Sequence, residues 1–169
     1  MIDRTKVSIY RIDLKNMLHA KDIRATMKAA GIKRYVYEFI HNGETMKYGI
    51  QYEWDNTTWG ERIYRQAWWI PGWPKVPKSS SGKDMFDIIQ FFPNIHKADV
   101  SIRIWDMTKY PNAFLNDKAL EIKMLERELI KEYIDKHNRP PVGNIKTEDH
   151  MDNKSDIKAD LFDALFTDS

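Results

Sequence analysis

Residues 35–50 read YVYEFIHNGETMKYGI, two runs rich in aromatic and β-branched residues hinged on Asn42-Gly43. Asn-Gly best tolerates the two positive φ angles of a type I′ turn, so the stretch predicts a β-hairpin. With Asn42 and Gly43 as the two loop residues, His41 faces Glu44, and counting outward sets Tyr37 opposite Tyr48 and Val36 opposite Gly49. That register puts both phenols on one sheet face and sends Lys47 to the other, beside Glu38. A three-residue loop would reverse the choice between Tyr48 and Lys47.

Outward from the hairpin, residues 5–14 fit strand or helix, and residues 20–30 form a helical run stopped by Gly31. Downstream, Thr58-Trp59-Gly60-Glu61 has capping-box spacing, which predicts a helix from about Trp59 that Pro71 ends. Arg62 and Arg65 lie three apart on it, with Gln66 one turn beyond Arg62. Residues 71–83, PGWPKVPKSSSGK, are too rich in proline, serine and lysine for regular structure and predict an exposed loop. Its Ser-Gly-Lys is not a phosphate loop, because the first glycine is missing and Asp84 replaces the required hydroxyl. Trp68, Trp69 and Trp73 flank the loop, one expected in the core and the others at the surface, where they suit base stacking.

Residues 85–92 predict a short buried helix, and residues 99–105 alternate as a third strand, with Val100, Ile102 and Ile104 on one face. Asn116 or Asp117 can cap a long helix reaching about Lys136, with an apolar stripe of Ile122, Leu125, Leu129, Ile130 and Tyr133. Glu126 falls inside that stripe, whereas Glu121, Glu128 and Glu132 fall to one side. A carboxylate on a buried helix face needs a cation, a metal or hydrogen-bond donors. The expected fold class is α+β, a small three-stranded antiparallel sheet flanked by helices with a flexible acidic C-terminal tail.

Charge is distributed unevenly along the 169 residues. Residues 1–34 carry nine Lys/Arg against three Asp, and residues 146–169 carry three Lys against seven acids. The expected organisation is a basic N-terminal extension (1–33), a core domain (34–145) and an acidic tail (146–169). Lys33, Arg34, Lys47, Lys75, Lys78 and Lys83 are the cations expected to meet a phosphate backbone. Cysteine is absent, which excludes disulfides, thiolate zinc sites and thiol catalysis. No cleavable signal pattern opens the chain and no apolar run approaches the ~18 residues of a membrane span, so an intracellular, cytoplasmic location is expected.

A Tyr-bearing hairpin, an Arg helix, a Glu helix and a closing Asn, in that order, resemble the GIY-YIG nuclease superfamily, here as a small phage-like endonuclease over about residues 34–145. Tyr35-Val36-Tyr37 resembles the first motif, with Tyr37 as the tyrosine, and Lys47-Tyr48-Gly49 resembles the second. ERIYRQ resembles the Arg helix with Arg62 as the match, LERELI the Glu helix with Glu126, and PPVGN offers Asn144 as the terminal asparagine. The second motif reads Tyr-Gly-Ile rather than Tyr-Ile-Gly, so aligning on Gly49 selects Lys47 and aligning on the phenol selects Tyr48. The long spacing from Gly49 leaves Arg65 as an alternative to Arg62, and Asn138 competes with Asn144.

The resemblance implies hydrolysis of DNA phosphodiester bonds. Tyr37 or Tyr48 would deprotonate the water, Arg62 would neutralise phosphoryl charge, and Glu126 would hold a single Mg²⁺ or Mn²⁺ near the 3′-oxygen. The competing expectation is a non-catalytic DNA-binding or replication-associated module with the same fold. RNA-directed cleavage is a third. In the tail, Leu161, Phe162, Leu165 and Phe166 resemble the Leu-Phe peptides that dock on sliding clamps, which implies a clamp as a second partner.

Overall fold

The computed structural model describes residues 1–52, 59–77, 81–111 and 119–148. The hairpin is β2 (Arg34–His41) and β3 (Glu44–Tyr52), joined by Asn42 and Gly43 at φ 47° and 83°, the paired positive angles a type I′ turn requires. Near the turn the register is the expected one, His41 opposite Glu44 and Ile40 opposite Thr45. Beyond it the register shifts by one residue: Phe39 pairs with Lys47, Glu38 with Tyr48 and Tyr37 with Gly49. Met46 is the extra residue of a β-bulge, and a slip of one residue moves every later side chain to the other face.

The sheet has four strands rather than the three expected. β4 (Val100–Asp106) pairs with β2, and β1 (Ser8–Asp13) pairs with β4, all antiparallel, in the order β1-β4-β2-β3. The leading basic segment therefore belongs to the sheet instead of preceding it. Its α1 (Asp22–Ala30) ends at Gly31, φ 69°, and buries Ile23 and Met27.

Both sheet faces are covered, so β4 is buried on two sides rather than one. Tyr35, Tyr37, Phe39, Ile102 and Ile104 pack with residues of α1, α2 (Glu61–Ala67) and α3 (Asp84–Ile89). Val36, Tyr48 and Trp105 pack under α4 (Leu120–His137), whose buried residues include the whole expected stripe. Asn116 and Asp117, like Thr58 of the expected capping box, lie outside the described residues. α5 (Val142–Glu148) lies against β3 and α3. Among the described residues no helix is long and apolar enough to cross a membrane.

The slipped register explains Gly49. A Cβ there would lie 2.3 Å from Cζ of Tyr37, whose ring crosses the glycine. Gly49→Ala is therefore expected to destabilise the fold by about 1–3 kcal/mol, the usual cost of overpacking. Urea unfolding measures it; a loss below a few tenths would mean that the ring moves aside freely.

Candidate active site

The bulge decides which side chains share the hairpin's faces. Lys47, not Tyr48, joins Tyr37: its Nζ lies 5.9 Å from the Tyr37 ring centre and 3.3 Å from Asp84 Oδ2, with the lysine side chain 3% exposed. Gln66, on α2, donates from Nε2 to the Tyr37 hydroxyl at 3.1 Å. Gln66 Oε1 is buried and accepts no hydrogen bond from the described residues, an acceptor placed on the amide that touches the phenol.

Tyr48 lies on the opposite face, which corrects the expectation of two phenols side by side. Burial, with the Glu38 carboxylate beside it, pushes its phenol well above the ordinary tyrosine range, so Tyr48 is unsuited to act as a base at neutral pH. Glu38 is raised by burial as well, opposed by a hydrogen bond from Thr45 and by Arg103 Nη1 at 3.4 Å. A carboxyl that holds its proton more tightly folded than unfolded stabilises most at low pH, and that contribution is lost as pH rises through the folded pKa. Glu38→Gln should thus gain on the parent between pH 4 and pH 7 in urea unfolding. A difference independent of pH would mean that Glu38 titrates alike in the folded and unfolded chain, and a loss on the parent as pH rises would mean that Arg103 outweighs burial.

β3 is the sheet's edge strand, and two side chains meet its free edge. Asn144 accepts from the Tyr48 N–H at 2.8 Å and donates to the Tyr48 carbonyl at 3.0 Å, so the backbone groups of residue 48 point outward. Arg62 Nη1 donates to the carbonyl of Ile50 at 3.0 Å. These are successive outward positions on the strand, about 7 Å apart by strand rise. Gln51 Oε1 receives both the Arg62 N–H (3.2 Å) and the Tyr35 hydroxyl (2.7 Å), tying the start of α2 to the hairpin.

Of the paired alternatives, Arg62 is exposed and reaches β3, whereas Arg65 is bound to Glu61 on its own helix. Asn144 is pinned to β3, whereas Asn138 is the left-handed residue, φ 58°, that ends α4.

Glu126 is half-buried on α4, the layer opposite α2. Three other carboxylates of that helix serve the fold. Glu121 binds Arg34 at 3.0 Å, Glu128 accepts from the Ile2 N–H, and Glu132 binds Arg4. Glu121 is buried although it lies off the apolar stripe, because Arg34 comes to it.

Among the described residues no three His, Asp or Glu converge as metal ligands, which does not fit an all-protein cage. A hard cation that takes one carboxylate and completes its shell with water and phosphate oxygens is compatible with Glu126.

Several expected phosphate contacts are turned inward. Arg34 donates to Tyr110 O and Met107 O besides binding Glu121, and Lys47 is enclosed with Asp84. Lys33 is half-buried, its Nζ 5.2 Å from the Trp59 ring centre. Lys75 and Lys83 are exposed. Lys78 and the peptide of Leu161, Phe162, Leu165 and Phe166 lie outside the described residues.

The sequence reading missed Asp84 and Gln51 as parts of this cluster. Both are polar residues joined to it only by long-range contact, and nothing in their neighbourhood marks them. The chain matches no family model, no curated protein and no solved structure.

Proposed function

We propose that the chain is a metal-dependent endonuclease that hydrolyses DNA phosphodiester bonds. The observation that supports it best is the meeting of Arg62 and Asn144, from helices far apart in sequence, at the free edge of the strand that carries Lys47 and Gly49. These are residues that the GIY-YIG resemblance singles out, and they gather at the motif strand.

In this reading a water oxygen attacks phosphorus, the P–O3′ bond breaks, and the 3′-oxygen takes a proton from solvent. Tyr37, as the phenolate formed when its own proton passes to solvent, receives the water's proton, and Gln66, which donates from Nε2 to the phenol oxygen, holds it in place while its Oε1 accepts from the water. Arg62 carries the positive charge for the non-bridging oxygens. Glu126 would hold Mg²⁺ or Mn²⁺, which would supply Lewis acidity for the departure of the leaving group. Arg62 is the sole cation of the cluster that is exposed among the described residues, since Lys47 is enclosed with Asp84.

The separation of Tyr37 and the Glu126 helix into opposite layers favours a second reading, a DNA-binding module without catalysis. Incubation with supercoiled plasmid distinguishes them. The nuclease nicks with Mg²⁺ or Mn²⁺ and stops in EDTA, whereas the binding module only retards the plasmid in a gel. A C-terminal Leu-Phe peptide bound to a sliding clamp would bring either activity to replicating DNA.

A further inference from the structure

The described residues between α2 and α3 fold around their tryptophans. Trp68 Nε1 donates to Lys75 O at 2.9 Å, Trp73 Nε1 to Ala67 O at 2.9 Å and Trp69 Nε1 to Ser81 O at 3.1 Å. All three indole N–H groups are therefore satisfied by backbone carbonyls, and all three rings are half-buried rather than divided between core and surface. Tyr64 and Trp68, one helical turn apart, stack with ring centres 5.7 Å apart and planes at 21°. Lys97 Nζ, held by the carbonyls of Leu14 and Met17, lies 4.8 Å from the Trp73 ring centre.

Beside this aromatic wall is a cleft of about 370 Å³, lined by Tyr64, Trp68 and Trp73 with His19, Lys21 and Lys75 among others and, among the described residues, by no Asp or Glu. The volume is that of a small-ligand site. Lys21 and Lys75 are both exposed at it. Flat aromatic rings with cations around them are the elements by which proteins hold single-stranded nucleic acid: bases stack and the backbone is neutralised. Of the nearest carboxylates, Asp22 accepts from the His19 N–H and Glu61 is paired with Arg24.

We propose that this cleft binds an unstacked base of single-stranded DNA, with Lys21 and Lys75 at the flanking phosphates; the choice of DNA rests on the nuclease reading. A nuclease so equipped would favour gaps, flaps or melted segments over intact duplex. The cleft is separate from the β3 edge, so its effect is on where the enzyme binds rather than on the reacting phosphate.

The test is fluorescence anisotropy in EDTA with the full chain, using a labelled single-stranded oligonucleotide, the corresponding duplex, and free deoxynucleotide as competitor. Trp68→Ala is expected to weaken single-strand binding about tenfold or more, with Trp68→Phe close to the parent. Lys21→Glu/Lys75→Glu, two exposed substitutions that spare the aromatic packing, should weaken it at least as much and flatten its salt dependence. Duplex affinity should change far less in every variant.

Unchanged single-strand affinity in the lysine pair, equal losses on duplex, or competition by free deoxynucleotide at concentrations matching the strand would each overturn the proposal. Because no metal is present, the result stands whether or not the protein cuts. A failure of plasmid nicking would end the nuclease reading while leaving single-strand binding to be judged on its own.

Discussion

Glu126→Gln is expected to abolish metal-dependent nicking, a loss of at least about 1,000-fold, while binding DNA with the parent's affinity. The change keeps size and helix propensity and removes the charge that would attract Mg²⁺ or Mn²⁺. Lewis-acid stabilisation of a leaving oxygen is worth several kcal/mol, and each 1.4 kcal/mol is about tenfold in rate. The basis is the match of LERELI to the family's Glu helix. Glu121, Glu128 and Glu132 on the same helix bind Arg34, the Ile2 N–H and Arg4, and removing any of these should be read in stability. Nicking assays and gel shifts on the same preparations separate the outcomes, and cutting at the parent's rate by Glu126→Gln would remove Glu126 from the site.

Arg62→Ala and Tyr37→Phe are each expected to lower turnover about 100-fold or more, the scale of a charge-stabilising group or a general base. Arg65→Ala and Tyr48→Phe should leave turnover within a few-fold of the parent. Arg65 is occupied by Glu61, and Tyr48 lies across the sheet with a raised pKa. The pattern tests the slipped register directly, since the unslipped hairpin would make Tyr48 the partner of Tyr37. Loss of turnover in Tyr48→Phe with a functional Tyr37→Phe would reverse the assignment.

The turn itself was legible, because Asn-Gly serves few other backbone conformations as well. The bulge was not. An inserted Met46 leaves the composition of the strand unchanged, yet it moves Lys47 to the Tyr37 face and Tyr48 to the face of Glu38. Here the residues facing each other were decided by packing: Met46 is fully buried in the same core as Phe39.

β1 was ambiguous for a related reason. It is an edge strand in which only Ile12 is buried, with Ile9 and Tyr10 exposed, so it lacks the alternation that marks a half-buried strand. The apolar stripe of α4 was readable because a long helix repeats its period several times. Arg34, expected to meet phosphate, was misread for the opposite reason: it is buried by its attraction to Glu121, a pairing that no local pattern encodes. Asn144 was legible only through its resemblance to a motif, while its bonds to β3 depend on a contact that no local pattern encodes.

The most direct measurement is nicking of supercoiled plasmid by the purified 169-residue chain, beside Glu126→Gln and Arg62→Ala, in Mg²⁺, Mn²⁺ and EDTA, with the nicked product then offered to DNA ligase. Hydrolysis at the P–O3′ bond leaves a 5′-phosphate and a 3′-hydroxyl, so the expected result is metal-dependent nicking by the parent alone, resealed by ligase. A plasmid retarded in the gel yet left uncut with either metal would contradict the account and identify a binding module.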